Sequence, residues 1–231
     1  MSRRDINRLL ALLDDAERRR WRRELEPVRL TPGQVLETRE RPSVHAWFPV
    51  SATVSMMNTT RDGASGELAL IGNEGLVGHS LIPGVGMPRC CAIVSDGGDG
   101  FRIETSLVDA EFERGGSIAQ GLLAFTEALI AQIAQLVLCN RHHLIEQQLG
   151  RLLLTSLDRV VGGELQVTHE GLAARLGVRR EAVTTAARAL KRAGAIDHRR
   201  GRIEVLDRTV LERRSCECYA VIAAEYDRLL R

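Results

Sequence analysis

The sequence predicts an α+β chain: a glycine-punctuated all-β barrel or roll, then one long apolar helix, then a helical C-terminal part closed by two short strands. Three observations carry this. Glycines recur at 33, 63, 66, 72, 75, 78, 84, 86, 97, 98 and 100, between short apolar or alternating stretches, as expected of many short strands joined by turns. Residues 116–140 repeat apolar side chains at helical spacing. Residues 167–206 hold two short helix patterns separated by Gly177, followed by two alternating stretches around Arg199-Arg200-Gly201. Residues 28–112 contain no long helical pattern, which argues against a parallel sheet with crossover helices.

Taken in order, residues 5–25 read as an amphipathic helix, with Ile6, Leu9, Leu10, Leu13 and Trp21 on its apolar side and the Arg18–Arg23 run as a solvated face. Strands are expected at Val44–Val50, Thr53–Met57, Glu67–Ile71, Cys91–Val94 and Phe101–Glu104. In the long helix, Ile118, Leu122, Phe125, Leu129, Gln132 and Leu136 follow alternating steps of four and three, with Gln132 as the polar interruption. Leu123, Ile130, Ile133 and Val137 make a second stripe. A helix with two apolar stripes is buried on two sides. One side covers the β part, and the other pairs with the same helix of a second chain. The first stripe is the expected dimer interface. A further helix over 142–160 carries Leu144, Ile145, Leu149, Leu152, Leu153 and Leu157, and Gly162-Gly163 stops it.

Composition sets the frame. A chain of 231 residues makes one large domain or two smaller ones. It is 44% hydrophobic and 27% charged, ordinary for a soluble globular protein, and its 3% aromatic content calls for an aliphatic core. The five cysteines, Cys90, Cys91, Cys139, Cys216 and Cys218, are odd in number and lack disulfide-like spacing, which fits a reducing compartment. Leu9-Leu10-Ala11-Leu12-Leu13 is too short for a signal-peptide core, and no apolar run approaches a membrane span. The expected location is the cytoplasm, with no membrane partner.

Charge is distributed unevenly. Residues 141–231 carry 17 Lys and Arg against 12 Asp and Glu, whereas residues 1–140 carry 15 against 18. A basic C-terminal part behind an acidic N-terminal one suggests that only the former meets a polyanion. Every basic residue except Lys191 is Arg, the better bidentate partner of base edges and phosphates.

Residues 167–206 are the most informative. Thr168 is a helix N-cap candidate, and the helix runs to about Leu176. Gly177 supplies a left-handed turn, and a second helix starts at Arg179 or Arg180 and reaches about Ala193. Leu172, Ala173, Leu176, Val178, Val183, Ala187 and Leu190 can form one small core, leaving Arg179, Arg180, Glu181, Thr184, Thr185 and Arg188 outward. This is a helix-turn-helix whose second helix offers its polar face to a major groove. Arg suits guanine O6/N7, and Glu can accept from cytosine N4. Ala195–His198 and Arg202–Val205 alternate like strands around a basic turn at Arg199 and Arg200, a β wing suited to phosphate contact.

Three stretches resemble the Crp/Fnr superfamily of bacterial transcription regulators: RHHLIEQQLGRLLL from Arg141, THEGLAARLGVRREAVT from Thr168, and RRGRIEVLDRTVLERRSCECY from Arg199 to Tyr219. Thr31-Pro32-Gly33 and the run Gly72–Gly78 carry a looser likeness in the N-terminal half. The resemblance implies a double-stranded β-helix, a jelly-roll-like β-roll of the cyclic-nucleotide-binding type, over 1–115. It implies a dimerisation helix over 116–140 and a winged helix-turn-helix over 141–231. Arg180 and Glu181 fall on the family's base-reading positions, and Thr185 stands where the cyclic-AMP-binding member has Arg. The implied partners are double-stranded DNA on a pseudo-palindromic site and a second copy of the chain; RNA polymerase is a further one the family admits.

The resemblance does not extend to cyclic AMP. His79 replaces the ribose-binding Glu, Cys90 replaces the small hydroxyl residue, and only Arg89 remains as a phosphate partner. An effector pocket, where there is one, falls at His79, Ser80, Arg89 and Cys90. No cofactor is expected. No cysteine precedes Cys90 to build an N-terminal iron–sulfur site, and lone His45 or His79 reads as structural rather than as a haem ligand. Cys216 and Cys218 flank one residue and on a helix would not share a face, so they read as packing residues and no metal is expected. Redox sensing by Cys90 or Cys91 would need a lowered thiol pKa. No nucleophile-elbow, phosphate-loop or zinc-ligand motif suggests an enzyme. The competing reading is a ligand-binding module whose helix-turn-helix makes only protein contacts.

Overall fold

The computed structural model describes residues 6–38, 40–41, 43–78, 90–160, 164–199 and 201–230. Two short helices come first, α1 (Arg8–Leu12) and α2 (Asp15–Trp21). The single helix expected over 5–25 is broken by a capping box. The Asp14 carboxylate accepts from the N–H groups of Ala16 (2.8 Å) and Glu17 (2.7 Å), and Glu17 Oε2 accepts from the Asp14 N–H (2.8 Å).

Seven strands follow: β1 (Glu26–Leu30), β2 (Val35–Glu37), β3 (His45–Pro49), β4 (Thr53–Thr59), β5 (Ser65–Ile71), β6 (Cys91–Asp96) and β7 (Gly98–Glu104). They form two antiparallel sheets, ordered β1-β7-β3 and β2-β6-β4-β5. Both sheets feed one core, to which Leu30, Phe48, Val54, Ile71, Val94 and Ile103 contribute. All five expected strands are present. The edge strands β1 and β2 were not expected; Pro27 in β1 and the three-residue length of β2 hide the alternation.

Helix α3 (Thr105–Arg114), also unforeseen, leads into the 26-residue α4 (Ser117–His142). Its buried stripe corrects the sequence reading. Ile118, Leu122, Phe125, Leu129, Gln132 and Leu136, expected at a dimer interface, are all at most 5% exposed within the protomer. They pack on the β core and on the last helix, so they cannot face a second chain. Gln132 is tolerated there because Tyr226 Oη donates to its Oε1 (2.6 Å) and its Nε2 donates to the Leu70 carbonyl (3.4 Å). Gly75 lets the turn after β5 sit against this helix: a Cβ there would lie 2.1 Å from Phe125 Cε2. By length and composition α4 is apolar enough to cross a membrane, contrary to the sequence reading. Its apolarity is accounted for by the core it covers and by a second, outward stripe.

A second core begins with α5 (Ile145–Leu157) and β8 (Glu164–Leu165). It continues through α6 (His169–Leu176), α7 (Arg180–Arg192), β9 (Ile196–Arg199), β10 (Arg202–Val205) and α8 (Arg208–Arg214). Leu149, Leu153, Leu172, Val183, Leu190, Ile203 and Leu211 lie at its centre. The small sheet is ordered β8-β10-β9. Gly162-Gly163, the expected stop after α5, lies outside the described residues. The last helix, α9 (Cys218–Leu229), returns to the first core, where Ile222, Tyr226 and Leu230 pack beside Phe125.

Two buried ion pairs join the cores. Arg159 Nε lies 2.8 Å from Glu74 Oε1, and Arg175 Nε lies 2.6 Å from Glu67 Oε2. The second connects α6 directly to β5, where Ser65 Oγ also donates to the Ala174 carbonyl (3.3 Å).

Candidate nucleic-acid interface

The geometry of α6 and α7 follows from three local choices. Thr168 caps α6, its hydroxyl accepting the Gly171 N–H at 3.0 Å. Gly177 ends it in the left-handed region at φ 67°, ψ 33°, a conformation that costs an L side chain about 1–2 kcal/mol. There is also little room for a Cβ, which would stand 3.2 Å from the Ser65 carbonyl oxygen. Helix α7 then buries Val183, Ala186, Ala187 and Leu190 and leaves the opposite side in water.

That opposite side is polar and predominantly cationic. Arg179, Arg180, Glu181, Thr185, Arg188, Lys191 and Arg192 are exposed, and Thr184 is half-buried. Arg179 caps α7 without a side-chain hydrogen bond, so the helix opens on free backbone donors and a positive dipole end. The hydroxyls of Thr184 and Thr185 donate to the carbonyls of Arg180 and Glu181, each at 3.0 Å. Thr168 is exposed beside α7 at the start of α6.

The wing lies alongside. Arg202 pairs with Arg199 and Ile203 with His198 in the β9–β10 ladder, and Gly201 turns at φ 71°. Ile196 and Ile203 anchor the hairpin in the second core. The Arg199 side chain is 84% exposed and only loosely tied to Asp197 at 3.4 Å. Arg200 lies outside the described residues.

Sequence reasoning missed His169. Its Nδ1 lies 3.1 Å from Thr184 Oγ1, and its ring stands 5.2 Å from that of His198. Burial, then the nearby His198, Arg180 and Arg188, hold its pKa below the ordinary value. It braces the α6 start against α7 and the wing. Only its place just after the N-cap could have signalled this.

Of the expected effector residues, His79, Ser80 and Arg89 lie outside the described residues. Cys90 is buried beside Cys91 in a shallow hollow also lined by Thr38, Glu40 and Met57. Burial, then Glu37 and Glu40, push the Cys91 thiol up, the opposite of what a reactive thiol needs.

A two-sheet β-roll, a long helix and a winged helix-turn-helix together define the class of architecture. Comparison narrows it. Residues 147–214 match the sequence profile of the Crp-like helix-turn-helix domain. A Crp/Fnr-family transcriptional regulator from Eubacterium rectale superposes with a TM-score of 0.68 at 18% identity, over 89% of this chain and 96% of its own. FixK2 from Bradyrhizobium japonicum gives 0.67 at 15%, over 83% and 98%. The c-di-GMP-responsive regulator CLP of Xanthomonas campestris gives 0.63 at 15%, over 84% and 100%. No curated protein sequence matches the chain. The chain thus has the Crp/Fnr transcription-regulator fold and carries a Crp-like helix-turn-helix domain.

Proposed function

We propose that this chain is a cytoplasmic, homodimeric, sequence-specific DNA-binding transcription regulator that lays α7 in the major groove of a pseudo-palindromic site. The observation that carries this is the two-sided α7: Val183, Ala187 and Leu190 sealed in the core, with Arg180, Glu181, Thr185 and Arg188 presented together in solvent. Arg180 reads guanine, Glu181 accepts from cytosine, and Thr185, its hydroxyl turned back on the helix, offers its methyl to thymine. Thr168, Arg179, Thr184, Arg199 and Arg200 hold phosphates around them.

The pairing surface is the outward stripe of α4. Leu123, Glu127, Ile130, Ala134, Val137 and Arg141 are exposed and follow steps of four and three, a coiled-coil seam. In this reading, residues 1–115 form the sensor unit, α4 the dimerisation helix, and the remainder to 231 the DNA-binding unit. The sensor does not take cyclic AMP, because the ribose carboxylate and small hydroxyl of that site are replaced by His79 and Cys90. No reaction is assigned to the chain.

Selection of bound duplexes from a random pool, followed by gel shift, tests the reading. The wild type should enrich paired half-sites about 10 bp apart, with affinity falling steeply with salt. Arg180→Ala should lose about 1–3 kcal/mol and relax one base step per half-site. A flat salt response and no shifted duplex would transfer the helix-turn-helix to protein contacts.

A further inference from the structure

Three cysteines and a histidine that the DNA-binding reading leaves unused meet where α4 ends. Cys139 and His143 are four residues apart at that end, so helical geometry stacks them on one face. Cys216 lies in the turn after α8, and Cys218 is the first residue of α9. The two therefore do not sit on one helix, and the objection that residues two apart face different ways falls away.

The four side chains converge. Cys139 Sγ and Cys216 Sγ are 3.5 Å apart, and Cys218 Sγ is 3.5 Å from His143 Nδ1. All four candidate donor atoms lie within 4.8 Å of one another. The cysteines are 0%, 4% and 0% exposed and form a cluster of their own. A sulfur–sulfur distance of 3.5 Å is far beyond a disulfide bond of about 2.05 Å. It is close to the edge of about 3.8 Å that a tetrahedron with Zn–S bonds of about 2.3 Å requires.

The surroundings match such a centre. His143 turns its Nδ1 to the sulfurs, and its Nε2 lies 3.4 Å from Glu217 Oε2, a carboxylate that would orient the ring as a ligand. Gln135 Nε2 donates to Cys218 Sγ at 3.1 Å. Arg151, 4% exposed, acts electrostatically on Cys139, and its buried Nε has no hydrogen-bond partner. Three thiolates, a neutral imidazole and a divalent cation sum to one negative charge, which the buried guanidinium would offset.

We propose that Cys139, His143, Cys216 and Cys218 bind Zn2+ in a closed tetrahedral Cys3His site. Thiolate-rich tetrahedral donors select Zn2+ over hard cations, and four protein ligands leave no open position for substrate, so the site is structural. It clips the end of α4 to the turn between α8 and α9, the two places where the chain enters and leaves the helix-turn-helix domain. Binding requires deprotonated thiols, so each equivalent of metal displaces protons.

The test uses the untagged full chain, purified without chelator, with zinc measured by inductively coupled plasma mass spectrometry. The expected content is about one zinc per chain. It should fall to near zero in the Cys216→Ser/Cys218→Ser double variant and stay unchanged in Cys91→Ser. His143→Cys should keep it, since four thiolates also suit Zn2+. Should the double variant misfold, Co2+ exchanged into the wild type decides: intense visible bands of tetrahedral thiolate ligation support the site, and weak octahedral absorption overturns it. A zinc-free folded wild type, equal zinc in the double variant, or a Cys139–Cys216 disulfide in anaerobically purified protein would each overturn it too.

Discussion

Arg175 on α6 and Glu67 on β5 form an ion pair of 2.6 Å whose two side chains are each less than a tenth exposed. Ser55 Oγ donates to the same Glu67 oxygen at 2.5 Å, and Arg175 reaches Ser156 Oγ at 3.4 Å. The pair fixes the first helix of the helix-turn-helix to the β-sheet. Removing one partner leaves a buried charge without its counter-ion, whereas replacing both with apolar side chains does not. Glu67→Gln should therefore lower unfolding stability by about 3–5 kcal/mol, and Glu67→Leu/Arg175→Met by clearly less. Urea denaturation of the three proteins checks this; an additive or larger loss in the double variant would refute it.

The two faces of α4 should respond differently to mutation. Ile130→Glu with Val137→Glu puts charge on the outward stripe and should convert a dimer to a folded monomer in analytical ultracentrifugation. Leu122→Ala, on the inward face, should cost about 2–5 kcal/mol of stability and leave the association state alone.

Glu37 gives a pH signature. Burial pushes its carboxyl up to about 7, against the opposing pull of the Gly78 and Ser43 backbone N–H groups. The folded state thus holds a proton between about 4.5 and 7 that the unfolded chain releases, so rising pH across that window weakens folding. Glu37→Gln should stabilise the protein by about 1–3 kcal/mol near pH 8. The gain should vanish well below pH 4.5, where both states are protonated. Denaturant midpoints of the two proteins at both pH values test it, and a pH-independent difference would contradict the assignment.

Arg199 on the wing should act on all sequences alike. Arg199→Ala is expected to weaken binding uniformly and reduce the salt slope by about one, without changing base preference. A changed consensus in duplex selection would instead make Arg199 a base reader.

The helix-turn-helix was legible because its signals are local. Thr168 before the helix, Gly177 at its end and the outward Arg-Arg-Glu lie within a few residues of the structure they dictate. Asp14 with Glu17 was an equally local capping signal that the helix pattern over 5–25 obscured. The face of α4 was not legible. Both stripes are apolar, and what turns the Ile118–Leu136 stripe inward lies far along the chain, in Leu70 and Tyr226. The cysteine cluster was hidden for the same reason. Cys139 and His143 show ligand spacing on their helix, but Cys216 and Cys218 reach them only through the return of α9.

That return shapes how α7 can move. The chain enters the helix-turn-helix domain after His143 and leaves it before Cys216, points that the Cys139–Cys216 and His143–Cys218 contacts bring together, while Arg175–Glu67 and Arg159–Glu74 tie the domain to the β part. The arrangement is a door with a doubled hinge and two latches, Arg175–Glu67 and Arg159–Glu74. Both pairs would have to open before α7 could swing about that hinge.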